Sequence, residues 1–313
     1  MDSPLPQTQT PRHTNSTTLR TVGAPISLRQ LLSPATLAAN LAASWPLITQ
    51  FSKRELLNRN KGSSLGIFWT LLHPLLMLAV YTFVFAVVWQ ARWGVGDVGG
   101  VAGIAGHTSA AESKGLFATS VFCGLIVFDV FASGVGAAAG LIVNNSNFVK
   151  KVIFPLEVLP LAQIGAGLLV SLISFAILLI ANYVLNGKVS ATVYLFPLVL
   201  VPLLSLTAGT AWFVASLGVF LRDLRQVVTG LLLPVLFFMT PIFYPPERVP
   251  AEFRWVVTWN PMAPIVENAR RVTLYGQMPD WMSLGIVTLI GLLVMQLGFA
   301  FFMKSKRSFA DVL

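Results

Sequence analysis

The stretch Leu65–Trp89 reads LGIFWTLLHPLLMLAVYTFVFAVVW, 25 residues without an Asp, Glu, Lys or Arg. Wound as a helix at ~1.5 Å per residue it reaches ~37 Å, enough to cross ~30 Å of hydrocarbon with some tilt. Outward from it, five further apolar stretches follow at roughly Gly115–Val143, Pro155–Leu185, Ala191–Leu221, Val227–Tyr244 and Ser283–Met303. The expected fold class is therefore an all-α integral membrane protein with six transmembrane helices.

Composition agrees. The 313 residues are 55% hydrophobic and 11% charged, with a mean hydropathy of +0.75. A soluble domain carries about 25% charged residues, so this chain lacks the charge to cover a water-facing surface. An ordinary cytosolic enzyme is excluded. The net charge of +9 would suggest nucleic acid in a soluble protein, but no RNA- or DNA-binding motif is present. Lys and Arg enriched in cytoplasmic loops account for it. With the N-terminus inside, 14 of the 21 Lys and Arg fall on inner segments and 7 on outer ones, which places both termini in the cytoplasm. The lone cysteine, Cys123, lies in an apolar run and reads as packing.

The flanks divide the chain into three. Residues 1–30 are rich in Thr, Ser, Pro and Gln, lack the apolar run of a signal peptide, and read as a disordered cytoplasmic tail. Residues 31–64 read as amphipathic interfacial helices, a Leu/Ala-rich one over 31–43 and a second over 47–60. In the second, Leu47, Ile48 and Phe51 share a side, while Lys53, Arg54, Arg59 and Lys61 supply charge for lipid phosphates. Residues 65–313 form the six-span membrane domain.

The loops differ in character. The first outer loop, about 92–114, holds six glycines and no periodic pattern. The short inner loop 144–154 reads NNSNFVKKVIF; Pro155 suits the first turn of the third span, and Glu157 favours the positive end of its dipole. The outer segment 245–282 carries eight charged residues yet shows helical apolar spacing at Ile265, Val266, Ala269 and Val272. It is too polar to span and reads as a re-entrant or surface helix pair, tolerated where protein or water shields its backbone.

Chemistry is sparse. Gly187-Lys188 is the only Gly-Lys pair, and Asn182 and Val189 stand where a phosphate-binding loop needs Gly and Ser or Thr. The three histidines, His13, His73 and His107, are too dispersed for a metal site. Asp129 is the one acid well inside a span; it is either a functional site or a group facing water at a break in the helix. Aromatic residues are plentiful: Tyr81, Phe85 and Trp89 in the first span, and Phe237, Phe238 and Tyr244 in the fifth, which Pro234 and Pro241 interrupt. They either line a conduit on which sugar rings stack or pack against lipid and neighbouring helices. Gly136-Ala137-Ala138-Ala139-Gly140 fits the small-xxx-small pattern of close helix contact.

Taken together, several segments resemble the membrane subunits of type-2 ABC exporters, particularly bacterial polysaccharide and O-antigen permeases. The resemblance covers about residues 45–305. It rests on Phe51–Trp69, on Asn145–Glu157, on Arg222-Asp223-Leu224, on Thr240-Pro241-Ile242-Phe243-Tyr244-Pro245 and on Trp259-Asn260-Pro261-Met262-Ala263-Pro264-Ile265. The resemblance implies a multi-pass permease of the bacterial inner membrane that forms a homodimer and docks separate nucleotide-binding ATPase subunits. ATP and Mg would be bound by that partner, with no cofactor in this chain. An inner coupling loop with Asn147, Phe148, Lys150, Lys151, Phe154 and Glu157 would contact the ATPase, together with the interfacial helix that carries Phe51, Arg54 and Arg59. Spans one and five would line the conduit, and the outer segment would close the far side. The implied cargo is a polysaccharide on a polyprenyl-pyrophosphate lipid, whose pyrophosphate Arg54, Arg59 and Lys61 would meet at the inner leaflet. For Arg270 and Arg271 two readings stand, steadying an acidic group at the outer face or pairing with Glu267. Teichoic acid, a drug or a lipid remains an alternative cargo, and a secondary transporter coupled through Asp129 an alternative class.

Overall fold

The computed structural model describes residues 33–59, 68–84, 110–150, 154–187, 189–246 and 249–313. The expected tail, the Gly-rich loop, Lys61, Phe85, Trp89 and Lys151 lie outside the described residues. In chain order the helices are α1 (Pro34–Arg59), α2 (Phe68–Tyr81), α3 (Ala110–Asn144), α4 (Ser146–Lys150), α5 (Val158–Asn186), α6 (Phe196–Phe220), α7 (Leu224–Met239), α8 (Arg254–Thr258), α9 (Met262–Thr273), α10 (Trp281–Ser305) and α11 (Phe309–Val312).

Among the described residues, four helical stretches are long and apolar enough to cross a membrane: Gly115–Asn144, Val158–Asn186, Ala191–Phe220 and Trp281–Val312. They match the expected second, third, fourth and sixth spans closely. Of the expected first span, the described residues form an apolar helix over Phe68–Val84. The expected fifth differs: Leu224–Met239 is an apolar helix of at most 17 residues, which at ~1.5 Å per residue reaches no more than about 25 Å. In α7 the cause is visible. A π turn over Val228–Leu232 precedes Pro234, which withdraws one donor from the helical ladder. The helix stops at Met239, where Thr240 turns extended (ψ 133°) just before Pro241.

Two expectations about short helices are also revised. The two interfacial helices of 31–64 are one continuous helix, α1, which runs through Pro46. Its buried stripe is Ser44, Ile48 and Ser52, set against α5, where a Cβ on Gly165 would collide with the Ser52 hydroxyl. Leu57 of the same helix is exposed. The third span begins at Val158 and not at Pro155, because Leu156-Glu157 form a turn ahead of it.

The core lies between α3, α5, α6, α9 and α10. Small residues let these backbones approach closely. A Cβ on Gly218 of α6 would strike the Ala139 carbonyl of α3, and one on Gly298 of α10 would strike the Gly209 carbonyl of α6. In the Gly136–Gly140 run it is Ala139 whose backbone makes the close helix contact, while Gly136 and Gly140 face the side chains of Leu233 and Arg225. α9 is not a surface helix: Met262, Ala263, Ile265, Val266, Asn268, Ala269, Arg270, Val272 and Thr273 are all buried, against α3 and α6. Cys123 is buried, its Sγ 3.6 Å from Thr273 Oγ1.

Candidate functional site

A cavity of about 450 Å³ opens where α2, α3, α5 and α7 converge. From α2 come His73, Met77 and Tyr81; from α7 come Thr229, Phe237 and Phe238. α3 contributes Phe122, Phe128 and Asp129, and α5 adds Val170 and Ser174. Pro74 of α2 and Pro234 of α7, each inside an apolar helix, both line the space. Three of the aromatic residues expected to line a conduit, Tyr81, Phe237 and Phe238, meet on this wall. Tyr244 does not; its hydroxyl donates to the Phe238 carbonyl at 2.9 Å and ties the chain after Pro241 back onto α7. Phe128 stands 5.1 Å from Phe237, edge to face.

At another place in the bundle, three rings come together. Phe51 of α1 lies 6.1 Å from Phe148 of α4 and 5.1 Å from Phe154, while Phe148 and Phe154 are 4.8 Å apart. The Arg54 guanidinium sits 4.8 Å above the Phe51 ring, a cation–π contact that leaves its outer face to solvent. Phe51, Phe148 and Phe154 are half-buried, and Asn147, Arg54 and Arg59 are exposed. Lys150 ends α4. Phe51 and the Phe148–Phe154 pair, from two distant parts of the sequence, are therefore neighbours.

Glu157, in the same loop, is buried and points elsewhere. Its carboxylate accepts from Lys306 Nζ at 2.8 Å, and its carbonyl accepts from the Trp212 indole at 3.0 Å. Trp212 is fully buried and meets Phe299 edge to face at 5.3 Å. One residue thus binds the entrance of α5 to the middle of α6 and the end of α10. Trp212 and Lys306 were not anticipated: an indole in an apolar run and a lysine after the last span carry no pairing signal.

Arg270 resolves the two readings of the outer segment. It is fully buried; Nε donates to Ser120 O at 3.1 Å, Nη1 to Pro241 O at 2.8 Å and Nη2 to Ile242 O at 2.7 Å. Glu267 Oε2 lies 3.6 Å from Nη1. The guanidinium's fork suits several oxygens in one plane, and here it clamps α9 to α3 and to the chain leaving α7. An acidic ligand cannot reach it, which corrects that reading in favour of the pair with Glu267. Arg271 is half-buried and donates from Nε to Met278 O at 3.3 Å. Asn260 adds a second clamp, donating to Thr240 Oγ1 at 3.0 Å and accepting from Met262 N at 2.9 Å. Asn268 accepts from Asp280 N at 2.7 Å and fixes the start of α10.

Among the described residues no group of His, Cys, Asp and Glu is arranged to hold a metal ion. The architecture is that of a multi-pass helical membrane protein with an aromatic cavity beside two proline-containing helices. Residues 46–274 match the ABC-2 type transporter model, and the chain belongs to that family. Among its relatives is the O-antigen export system permease protein RfbA of Klebsiella pneumoniae, 26% identical over 88% of this chain and 97% of the relative. RfbA of Myxococcus xanthus is 26% identical over 85% of this chain and 94% of the relative. The polysialic acid transport protein KpsM of Escherichia coli is 23% identical over 82% and 92%.

Proposed function

We propose that this chain is the membrane-spanning subunit of an ATP-driven exporter that carries a lipid-linked, O-antigen-like polysaccharide across the bacterial inner membrane. The observation that carries the proposal is the match along nearly the whole length of permeases named for O-antigen export. In this reading α2 and α7 complete six spans, both termini are cytoplasmic, and two copies form the conduit. The buried α9 and its flanks act as the re-entrant outer closure.

Separate ATPase subunits bind ATP and Mg and dock on the surface around Asn147, Phe148, Lys150, Lys151 and Phe154. The ring contacts from Phe148 and Phe154 to Phe51 carry movement of that loop into α1. The aromatic wall of the cavity offers faces for sugar rings, with a few polar groups to orient them. Arg54 and Arg59, exposed on α1, meet the polyprenyl pyrophosphate as charge-assisted partners. Export of teichoic acid, a drug or a lipid keeps the same architecture. A secondary transporter would rest on Asp129, midway along its span and open to the cavity.

Purification from native membranes in mild detergent tests the class. The expected result is a stoichiometric ATPase subunit that is lost when residues 145–154 are scrambled while the permease stays monodisperse. A clean homomer without any ATPase overturns the proposal and turns attention to ion coupling at Asp129.

A further inference from the structure

The cavity is rich in aromatic faces and poor in positive charge. Across α2, Gly115–Asn144, α5 and α7 the only Lys or Arg is Arg225. That side chain lies against Gly140, about three turns along α3 from Asp129. Asp129 stands halfway along the 30-residue span Gly115–Asn144, exposed, on the cavity wall. It accepts no hydrogen bond from the described residues. Among the described residues the one basic side chain on the wall is His73, and with Asp129 ionised the wall carries no net positive charge.

An intramembrane carboxylate is costly unless it faces a water-filled or ligand-filled space, and it marks such a path. Here it faces Tyr81, Ser174 and Thr229 across a space walled by Phe128 and Phe237. A carboxylate accepts hydrogen bonds from sugar hydroxyls, while the rings give apolar faces to the pyranose. The same carboxylate repels a glycan that bears its own carboxylates or phosphates, in a site where the charge is weakly screened. On the reading of this chain as a glycan exporter, we infer that the cavity selects an uncharged polysaccharide and that Asp129 is the residue that rejects anionic ones. This sets the chain apart in cargo from its polysialic acid-transporting relative.

The test is equilibrium binding to the purified permease with its ATPase in lipid nanodiscs. The two probes are neutral-dye-labelled mannohexaose and a hexamer of α2,8-linked sialic acid. Mannohexaose is expected to bind at least about tenfold more tightly, a ratio equal to ~1.4 kcal/mol. Asp129→Asn is expected to shrink that ratio several-fold and Asp129→Glu to retain it. Equal affinity for the two probes, or tighter binding of the anionic one, overturns the inference and leaves the glycan reading standing. An unchanged ratio in Asp129→Asn overturns the role of Asp129. Binding of neither probe overturns the glycan reading and the inference with it.

Discussion

Phe154, on the segment entering α5, holds its ring 5.1 Å from that of Phe51 on α1. Through this contact and its neighbour at Phe148, the segments on either side of the loop after α3 pack against the helix before α2. Phe154→Ala removes two ring contacts, each worth about 0.5–1.5 kcal/mol beyond burial. The expected outcome is a permease that still folds, since the rings are only half-buried, but keeps less ATPase on purification. Retention equal to wild type would show that the ring cluster does not shape the docking surface.

Glu157 and Lys306 form the second tie of that loop, at 2.8 Å with the carboxylate nearly buried. Lys306→Met leaves the acid without its ion partner, a loss of about 1–3 kcal/mol. Thermal unfolding in detergent is expected to shift down, and the double variant Lys306→Met with Glu157→Gln to recover part of the loss.

Arg270 should tolerate no substitute. Lysine keeps the charge but reaches fewer of the three carbonyls that the fork serves. Arg270→Lys is expected to cost about 2–3 kcal/mol, and Arg270→Met more, because Glu267 then loses its partner. Both losses are read from the thermal transition of the purified protein. A transition unchanged in Arg270→Lys would contradict the clamp.

Arg59 is exposed in the last turn of α1. Arg59→Ala is expected to weaken binding of a polyprenyl-pyrophosphate glycan about tenfold, the scale of one charge-assisted contact, with the thermal transition unmoved. Affinity equal to wild type in the purified protein would remove Arg59 from the substrate path.

Hydropathy made the four long helices legible to within a few residues, since nothing competes with ~20 apolar residues in choosing a bilayer. It overstated α7, because the apolar run continues through Phe243 while the backbone stops at Met239 under the constraint of Pro241. It also split α1 at Pro46, which the fold absorbs within one helix. The apolar stripe of α9 was readable, but not that Arg270 turns inward with it, because a buried guanidinium depends on carbonyls brought from Ser120, Pro241 and Ile242. Of the site, Tyr81, Phe237 and Phe238 were legible as aromatic density. The meeting of Phe51, Phe148 and Phe154 was foreshadowed by the family resemblance alone, as no local pattern pairs such distant segments.

The most direct measurement deletes the gene in its native host and follows the polysaccharide. The account predicts that surface glycan disappears while the same glycan accumulates inside the cell on its polyprenyl-pyrophosphate carrier, and that the intact gene restores export. Unchanged surface polysaccharide, with no lipid-linked intermediate accumulating, would contradict it.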